Sequence, residues 1–204
     1  MKLYQSDSLP SPRRVRMFLA EKGIDDIELI AVDVAGGEAR EKRFLARNAL
    51  GEVPVLELDD GGHISEVTAI SRFFEELRPD PPLFGTTPED KARTEMWLRR
   101  IETGLMGALA AYYHHATPGF ADAGRYRNRE WGENSRVRAI ATMRLVDDAL
   151  GDREFIAGDE FSIVDIAAYC AIDFATACDI EIPGEASRLR AWYERISRRD
   201  SVSA

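Results

Sequence analysis

The spacing of apolar residues changes once along this chain of 204 residues. Up to about residue 78, short apolar runs of strand length alternate with stripes at helical spacing; beyond it only the helical spacing recurs. Leu3-Tyr4 opens a short strand, residues 7–12 form a loop, and residues 13–22 form a helix with Val15, Phe18 and Leu19 on one face. Residues 27–34 are predicted as a buried strand, because they are rich in β-branched side chains and stop at Gly36-Gly37. A helix around Phe44-Leu45 is expected over residues 38–47. Residues 54–58 and 63–65 make a hairpin through Asp59-Asp60-Gly61-Gly62, a strong turn signal. Ala69, Ile70, Phe73, Phe74 and Leu77 then line one face of the next helix. The predicted order is βαβαββα.

Pro79, Pro81 and Pro82 break this pattern and set the expected boundaries: an α/β domain over residues 1–79, a linker over 80–88 and an all-α domain over 89–204. Thr87-Pro88-Glu89-Asp90 starts a long helix, with a hydroxyl cap, proline at the first helical position and acids in the first turn. Its Trp97, Ile101, Leu105, Leu109 and Tyr112 share one stripe, and a second long helix covers about residues 128–150. Ser162-Ile163-Val164-Asp165 has the spacing of a capping box with Asp in the usual Glu place, and Phe161 is placed to staple onto Ile166. The helix that follows is apolar on nearly all sides, which predicts a central, buried position. Residues 188–198 close the domain.

Composition narrows the function without naming it. With 45% hydrophobic and 31% charged residues the chain can bury an ordinary core. A net charge of -9 gives no sign of a nucleic-acid partner, since phosphate binding needs a basic patch. Cys170 and Cys178 make neither a CxxC nor a disulfide framework, so a reduced, cytoplasmic setting is expected. Residues 1–20 lack the apolar run of a signal peptide, and no later stretch is apolar enough to span a membrane. No metal site is expected.

The chemistry concentrates at Val53-Pro54 and at Ser65-Glu66-Val67-Thr68. X-Pro bonds alone reach the cis form at modest cost. A cis Val53-Pro54 bond would leave the Val53 N–H and C=O free to pair with an extended peptide, as an added strand does. Glu66, opening the next helix, offers a carboxylate to an ammonium group, while the first N–H groups of that helix at Val67 and Thr68 offer an anion site. The bland alternative for Glu66 is an ordinary capping acid.

Four stretches in order carry a resemblance. They are Met1-Lys2-Leu3-Tyr4, the helix from Arg13 to Gly23, the turn Asn48-Ala49-Leu50-Gly51-Glu52-Val53-Pro54-Val55-Leu56, and the cap Phe161-Ser162-Ile163-Val164-Asp165-Ile166. With them the chain resembles the cytosolic glutathione transferases from residue 1 to about 201. It is most similar to the bacterial and fungal branch with a Pro-rich first loop and a His-containing segment, here His114-His115-Ala116-Thr117-Pro118 ahead of Glu130-Trp131-Gly132. The resemblance implies a thioredoxin-like N-terminal domain, a helical C-terminal domain, glutathione as co-substrate, a small electrophile as acceptor, a homodimer and a role in detoxification.

It also implies roles for single residues. Val53, Pro54, Glu66, Val67 and Thr68 would hold glutathione, and Arg40 would pair with its glycyl carboxylate unless it is simply a solvated helix residue. Val67 stands where most relatives have Ser, and Leu9 stands where serine-type members place a hydroxyl before the loop proline. Two routes to the thiolate stay open: Ser11, with Ser8 behind it, as a hydroxyl donor at the helix start, or a water held by His115 with Thr117 as a partner hydroxyl. Ser11 could instead be an N-cap, and the histidines could be helix-end residues favoured by the dipole. Tyr112, Tyr113 and Phe120, with Trp131, would line the acceptor pocket unless they are core. Conjugation is the expected activity. An isomerase or dehalogenase using the same pocket, and a non-catalytic binding or interaction protein, are the alternatives. A thiol-disulfide oxidoreductase lacks its first-loop cysteine.

Overall fold

The computed structural model describes residues 1–118 and 126–204. They form two units, Met1–Leu83 with Asp200–Ala204, and Phe84–Arg199. In the first unit β1 (Lys2–Gln5), β2 (Glu28–Ala31), β3 (Val55–Glu57) and β4 (His63–Ser65) make one sheet in the order β2-β1-β3-β4. β1 runs parallel to β2 and antiparallel to β3, and β3 pairs antiparallel with β4. Side chains alternate between faces along a strand. Leu3 and Leu56, paired across the sheet, are fully buried on one face, while Tyr4 and Val55 on the other join a cluster with Val32, Ala39, Phe44 and Val53.

Three expected elements differ. β2 is an edge strand, not a buried one, and Leu29 is 50% exposed, because only β1 flanks it. An apolar run marks a buried strand only when neighbours cover it on both sides. The expected helix over residues 38–47 is a 3-10 turn at Glu38–Arg40 and a short α2 (Lys42–Leu45), split by extended backbone at Glu41. Helix α1 (Pro10–Glu21) starts three residues earlier than residue 13, since proline at the first helical turn loses no hydrogen bond.

Helix α3 (Val67–Leu77) lies against α1, and a buried ion pair joins them. Lys22 Nζ sits 2.5 Å from Glu75 Oε2, with its side chain fully buried, and donates to the carbonyls of Arg78, Pro79 and Pro81. Glu75 in turn accepts the Leu83 N–H at 3.0 Å. Several hydrogen bonds thus offset the desolvation that makes isolated buried charges costly. Residues 200–204, expected with the helical domain, cluster with the first unit: Ser201 donates to Glu21, Arg13 to the Val202 carbonyl and Arg16 to that of Ala204.

The second unit is helical among its described residues. α4 (Pro88–Arg100) begins with the Thr87/Asp90 capping box and runs through a π-helical segment, Ile101–Met106, into α5 (Gly107–Ala116). Thr142 of α6 (Arg129–Leu150) donates to the Gly104 carbonyl inside that segment at 2.9 Å. α7 (Ile163–Ala177) has every residue from Ile163 to Ile172 buried, as its apolar circumference predicts. α8 (Ser187–Ile196) packs Trp192 into the core, where its Nε1 donates to Asp165 Oδ1 at 2.9 Å. No described helix is long and apolar enough to cross a membrane.

Candidate functional site

The turn before β3 is built around Asn48. Its side chain accepts the Leu50 N–H and donates to the Glu52 carbonyl, and its carbonyl accepts the Gly51 N–H. Gly51 has φ 63, and a Cβ there would stand 2.7 Å from the Ala39 carbonyl and 2.9 Å from Arg40 Nη1. Glycine is required here for both conformation and space. Arg40, on the exposed side, donates from Nη1 to the Leu50 carbonyl at 2.8 Å. This turn delivers a Val53-Pro54 peptide that is cis, with both residues buried.

Val55 pairs with Ser65, so Pro54 and Glu66 are the next residues outward along the two strands. Glu66 is the N-cap of α3, yet its side chain makes no cap hydrogen bond, and it holds φ 72, ψ 125. A positive φ at a non-glycine residue costs of order 1–3 kcal/mol and persists where surrounding structure imposes it. The capping-acid alternative therefore fails. Glu66 presents an exposed carboxylate with no hydrogen bond or ion pair among the described residues. The first bond within α3 runs from the Ile70 N–H to the Glu66 carbonyl, so the Val67 and Thr68 N–H groups precede the helical ladder.

At the start of α1 the N-cap is Leu9, not Ser11, and it supplies no side-chain bond. Leu9 packs instead against the cluster that contains Val53 and Tyr4. Ser11 is the second helical residue, half-buried, between Pro10 and Pro12. Prolines carry no N–H. Of the first three residues of α1, Ser11 alone brings an amide, and the first bond of the helix is Arg13 N–H to Leu9 carbonyl. Ser8 lies outside the helix, exposed, with its hydroxyl 3.4 Å from that of Ser6. Tyr4, also in this unit, donates to Glu57 at 2.7 Å; burial and that carboxylate raise its pKa.

In the helical unit, Tyr112, Tyr113, His114 and His115 occupy the end of α5 and are half-buried. Tyr113 packs edge-on against Phe174 at 5.5 Å. Gly132 explains how α6 meets this end: a Cβ there would stand 2.7 Å from Ala116 Cβ and 3.1 Å from the His115 carbonyl carbon. Asn128 caps α6 by accepting the Trp131 N–H, and its own N–H points to His115 Nδ1 at 3.3 Å. In that contact His115 Nδ1 is the acceptor. The Thr117 hydroxyl donates to the Tyr113 carbonyl at 2.6 Å, not to His115. Trp131 is 54% exposed, and Phe120 lies outside the described residues.

The sequence profile of the glutathione S-transferase N-terminal domain matches residues 10–77, and that of the C-terminal domain matches residues 129–195. The chain belongs to the glutathione S-transferase family. It is 40% identical to Glutathione S-transferase 2 of Saccharomyces cerevisiae, over 99% of this chain and 88% of that protein. A crystal structure of a glutathione S-transferase domain-containing protein from Marinobacter aquaeolei superposes with a TM-score of 0.96 at 41% identity, covering 99% of this chain and 100% of that one. A class Gtt2 glutathione S-transferase of Vibrio parahaemolyticus does so with 0.86 at 34% identity, covering 100% and 96%.

In this glutathione S-transferase the structure brings together Val53, Pro54, Glu66, Val67 and Thr68 around the β3–β4 hairpin. It ties Arg40 to the turn that precedes them. Asn48, Gly51, Asn128 and Gly132 are positioning residues that the structure adds. Gly51 and Gly132 stood within recognised motifs, but a close approach has no signal in a single sequence. The two cysteines are buried, and burial pushes the Cys178 thiol up to about 11, which removes it as a nucleophile. Among the described residues no group of three His, Cys, Asp or Glu side chains is arranged to hold a metal.

Proposed function

We propose that this glutathione S-transferase conjugates the glutathione thiolate to small electrophiles, holding the tripeptide on Val53, Pro54, Glu66, Val67, Thr68 and Arg40. The observation that carries this is Glu66: an exposed carboxylate at φ 72, uncommitted to its own helix, beside a hairpin that follows the cis Val53-Pro54 peptide. Its charge suits the γ-glutamyl ammonium, and the Val67 and Thr68 N–H groups suit the adjoining carboxylate. The Val53 backbone pairs with the extended cysteinyl unit, and Arg40 meets the glycyl carboxylate.

A free thiol has a pKa of about 8.5, and lowering it by about 1.5 units takes roughly 2 kcal/mol of thiolate stabilisation. Ser11 supplies this with its hydroxyl and its amide at the positive end of α1. The sulfur then attacks the electrophilic carbon, a carbon–sulfur bond forms, and a leaving group such as chloride departs with its electron pair. His115, whose Nδ1 accepts the Asn128 N–H, is not the base in this scheme. The working form is a cytoplasmic homodimer acting in detoxification.

Calorimetric titration with glutathione, run beside turnover of an activated aryl chloride, tests the proposal. Glutathione binding without turnover would favour a non-catalytic binding protein, and no binding would sink the assignment. Ser11→Ala is expected to raise the pKa of the bound thiol and lower turnover at neutral pH, with recovery in an alkaline assay. Ser11→Pro removes the amide as well and should raise it further. An unshifted pH–rate profile in both variants would take Ser11 out of the mechanism.

A further inference from the structure

A groove of about 350 Å³ opens in the first unit, between the second half of α1 and β2, lined by Leu19, Ala20, Ile24, Ile27 and Leu29 with the exposed Asp25. It lies at the far side of the sheet from the β3–β4 hairpin, because the strand order is β2-β1-β3-β4. β2 offers an edge ready for pairing beside it. Its bonds to β1 use alternate residues: the Glu28 N–H donates to the Met1 carbonyl and the Val32 N–H to the Gln5 carbonyl. Leu29 and Ala31 therefore turn their N–H and C=O outward, where no strand pairs with them among the described residues. The register with β1 is unbroken from Glu28 to Ala31, so neither a bulge nor a proline blunts this edge.

Charge decides what kind of strand fits there. Leu29 faces α1 across the groove, so Glu28 and Ile30 belong to the other face of β2. Asp25 and Glu28 are exposed acids with no hydrogen bond or ion pair among the described residues, whereas Asp26 holds Arg78 at 3.1 Å. The negative end of α1 adjoins Asp25. Arg16, the cation on the lining, is committed to Gln5 and to the Ala204 carbonyl. A second copy would bring the same two acids and a second net charge of -9 to this edge, which disfavours pairing of β2 with β2. An extended segment in which lysine or arginine alternates with apolar residues fits both features. Its apolar side chains enter the groove beside Leu29, and its cations fall on the face of Glu28.

We propose that this groove is a docking site for an extended segment of a partner protein, alternately basic and apolar, which adds to the four-stranded sheet along β2. Main-chain bonds to Leu29 and Ala31 supply the attachment. The groove and the two acids supply the sequence preference. Docking at this edge requires neither glutathione nor an electrophile, so it stands or falls separately from the conjugation reading.

The probe is a capped, dye-labelled peptide of about six residues that alternates lysine with leucine and valine, set beside the same peptide with glutamate for lysine. By fluorescence anisotropy with the full chain, the lysine peptide is expected to bind about tenfold tighter or better, with the gap narrowing as salt rises from about 50 to 500 mM. Hydrogen exchange should slow at the Leu29 and Ala31 amides when the lysine peptide is bound, by about tenfold or more, while the β4 amides keep their rates. Leu29→Gln, at an exposed position, should weaken the lysine peptide about tenfold by removing the apolar anchor. Asp25→Lys/Glu28→Lys should transfer the preference to the glutamate peptide. Ala31→Pro removes an outward donor without touching a bond to β1 and should weaken both peptides; Leu29→Gln covers the case in which it misfolds. Absence of binding, equal affinity for the two peptides, or binding that leaves the Leu29 and Ala31 amides exchanging freely would overturn the site. Protection of those amides that grows with protein concentration in the absence of peptide would overturn it too, since the occupant would then be a second copy.

Discussion

Two acids stand at the starts of helices, and they are opposites. Asp165, the third residue of α7, is fully buried; it accepts from the Ser162 N–H and hydroxyl, the Ile156 N–H and the indole of Trp192. Glu66, at the N-cap of α3, is exposed and makes no cap bond. An acid with every lone pair engaged by its own chain is structural. An acid held in unfavourable backbone geometry with nothing engaged is available to something else. The difference separates an acid that holds the fold from the one proposed to bind glutathione.

The largest expected effect is at the buried acid. Asp165→Ala leaves the Ile156 and Trp192 donors buried without an acceptor as well as removing the cap, so stability should fall by about 3–5 kcal/mol in denaturant unfolding. A loss under about 1 kcal/mol would break the comparison, since an acid that dispensable holds nothing together. Glutathione affinity of the folded fraction should be intact.

Burial pushes the Asp165 pKa from an ordinary 3.8 up to about 6, outweighing the hydrogen bonds that lower it. The native state therefore holds this proton more tightly than the unfolded chain. The contribution to stability is greatest below about pH 4, declines as pH rises to about 6, and is flat above. Measured as wild type minus Asp165→Asn, stability should drop across that window by an amount on the order of 2–3 kcal/mol. A pH-independent difference would show that the carboxyl titrates alike in both states.

Glu66→Ala should weaken glutathione binding by about 1.5–3 kcal/mol, roughly ten- to a hundred-fold in Kd, with stability changed by less than about 0.5 kcal/mol. Unchanged affinity by calorimetry would remove Glu66 from the site. The smallest effect sharpens the same contrast. Glu66→Gly relieves the positive φ and should stabilise the protein by about 0.5–1 kcal/mol while losing the same affinity. Destabilisation instead would mean that the Glu66 side chain supports the fold.

How far each feature was legible follows from how local its cause is. The Ser162/Asp165 box and the Thr87 hydroxyl cap are legible in four-residue spacing, because a cap bonds its own first turn; the reciprocal bond from Asp90 is added by the structure. The apolar circumference of α7 announced its central place in the same way. The strand at Glu28–Ala31 misled, since the same apolar run suits a central strand or an edge, and only pairing decides which. The N-cap of α1 is Leu9 and not Ser11, because proline tolerates several places in a first turn and so does not fix where the helix starts.

The sequence alone determined the βαβαββα unit, the helical unit after the prolines, and the candidate residues at Val53, Pro54 and Glu66, since periodicity, turn chemistry and motif spacing act within a few residues. Tertiary structure decided what those residues are able to do. The φ of Glu66, the space denied to any side chain at Gly51 and Gly132, and the engagement of His115 by Asn128 all depend on segments brought together from elsewhere in the chain. Such approaches are set by packing, which no local pattern encodes.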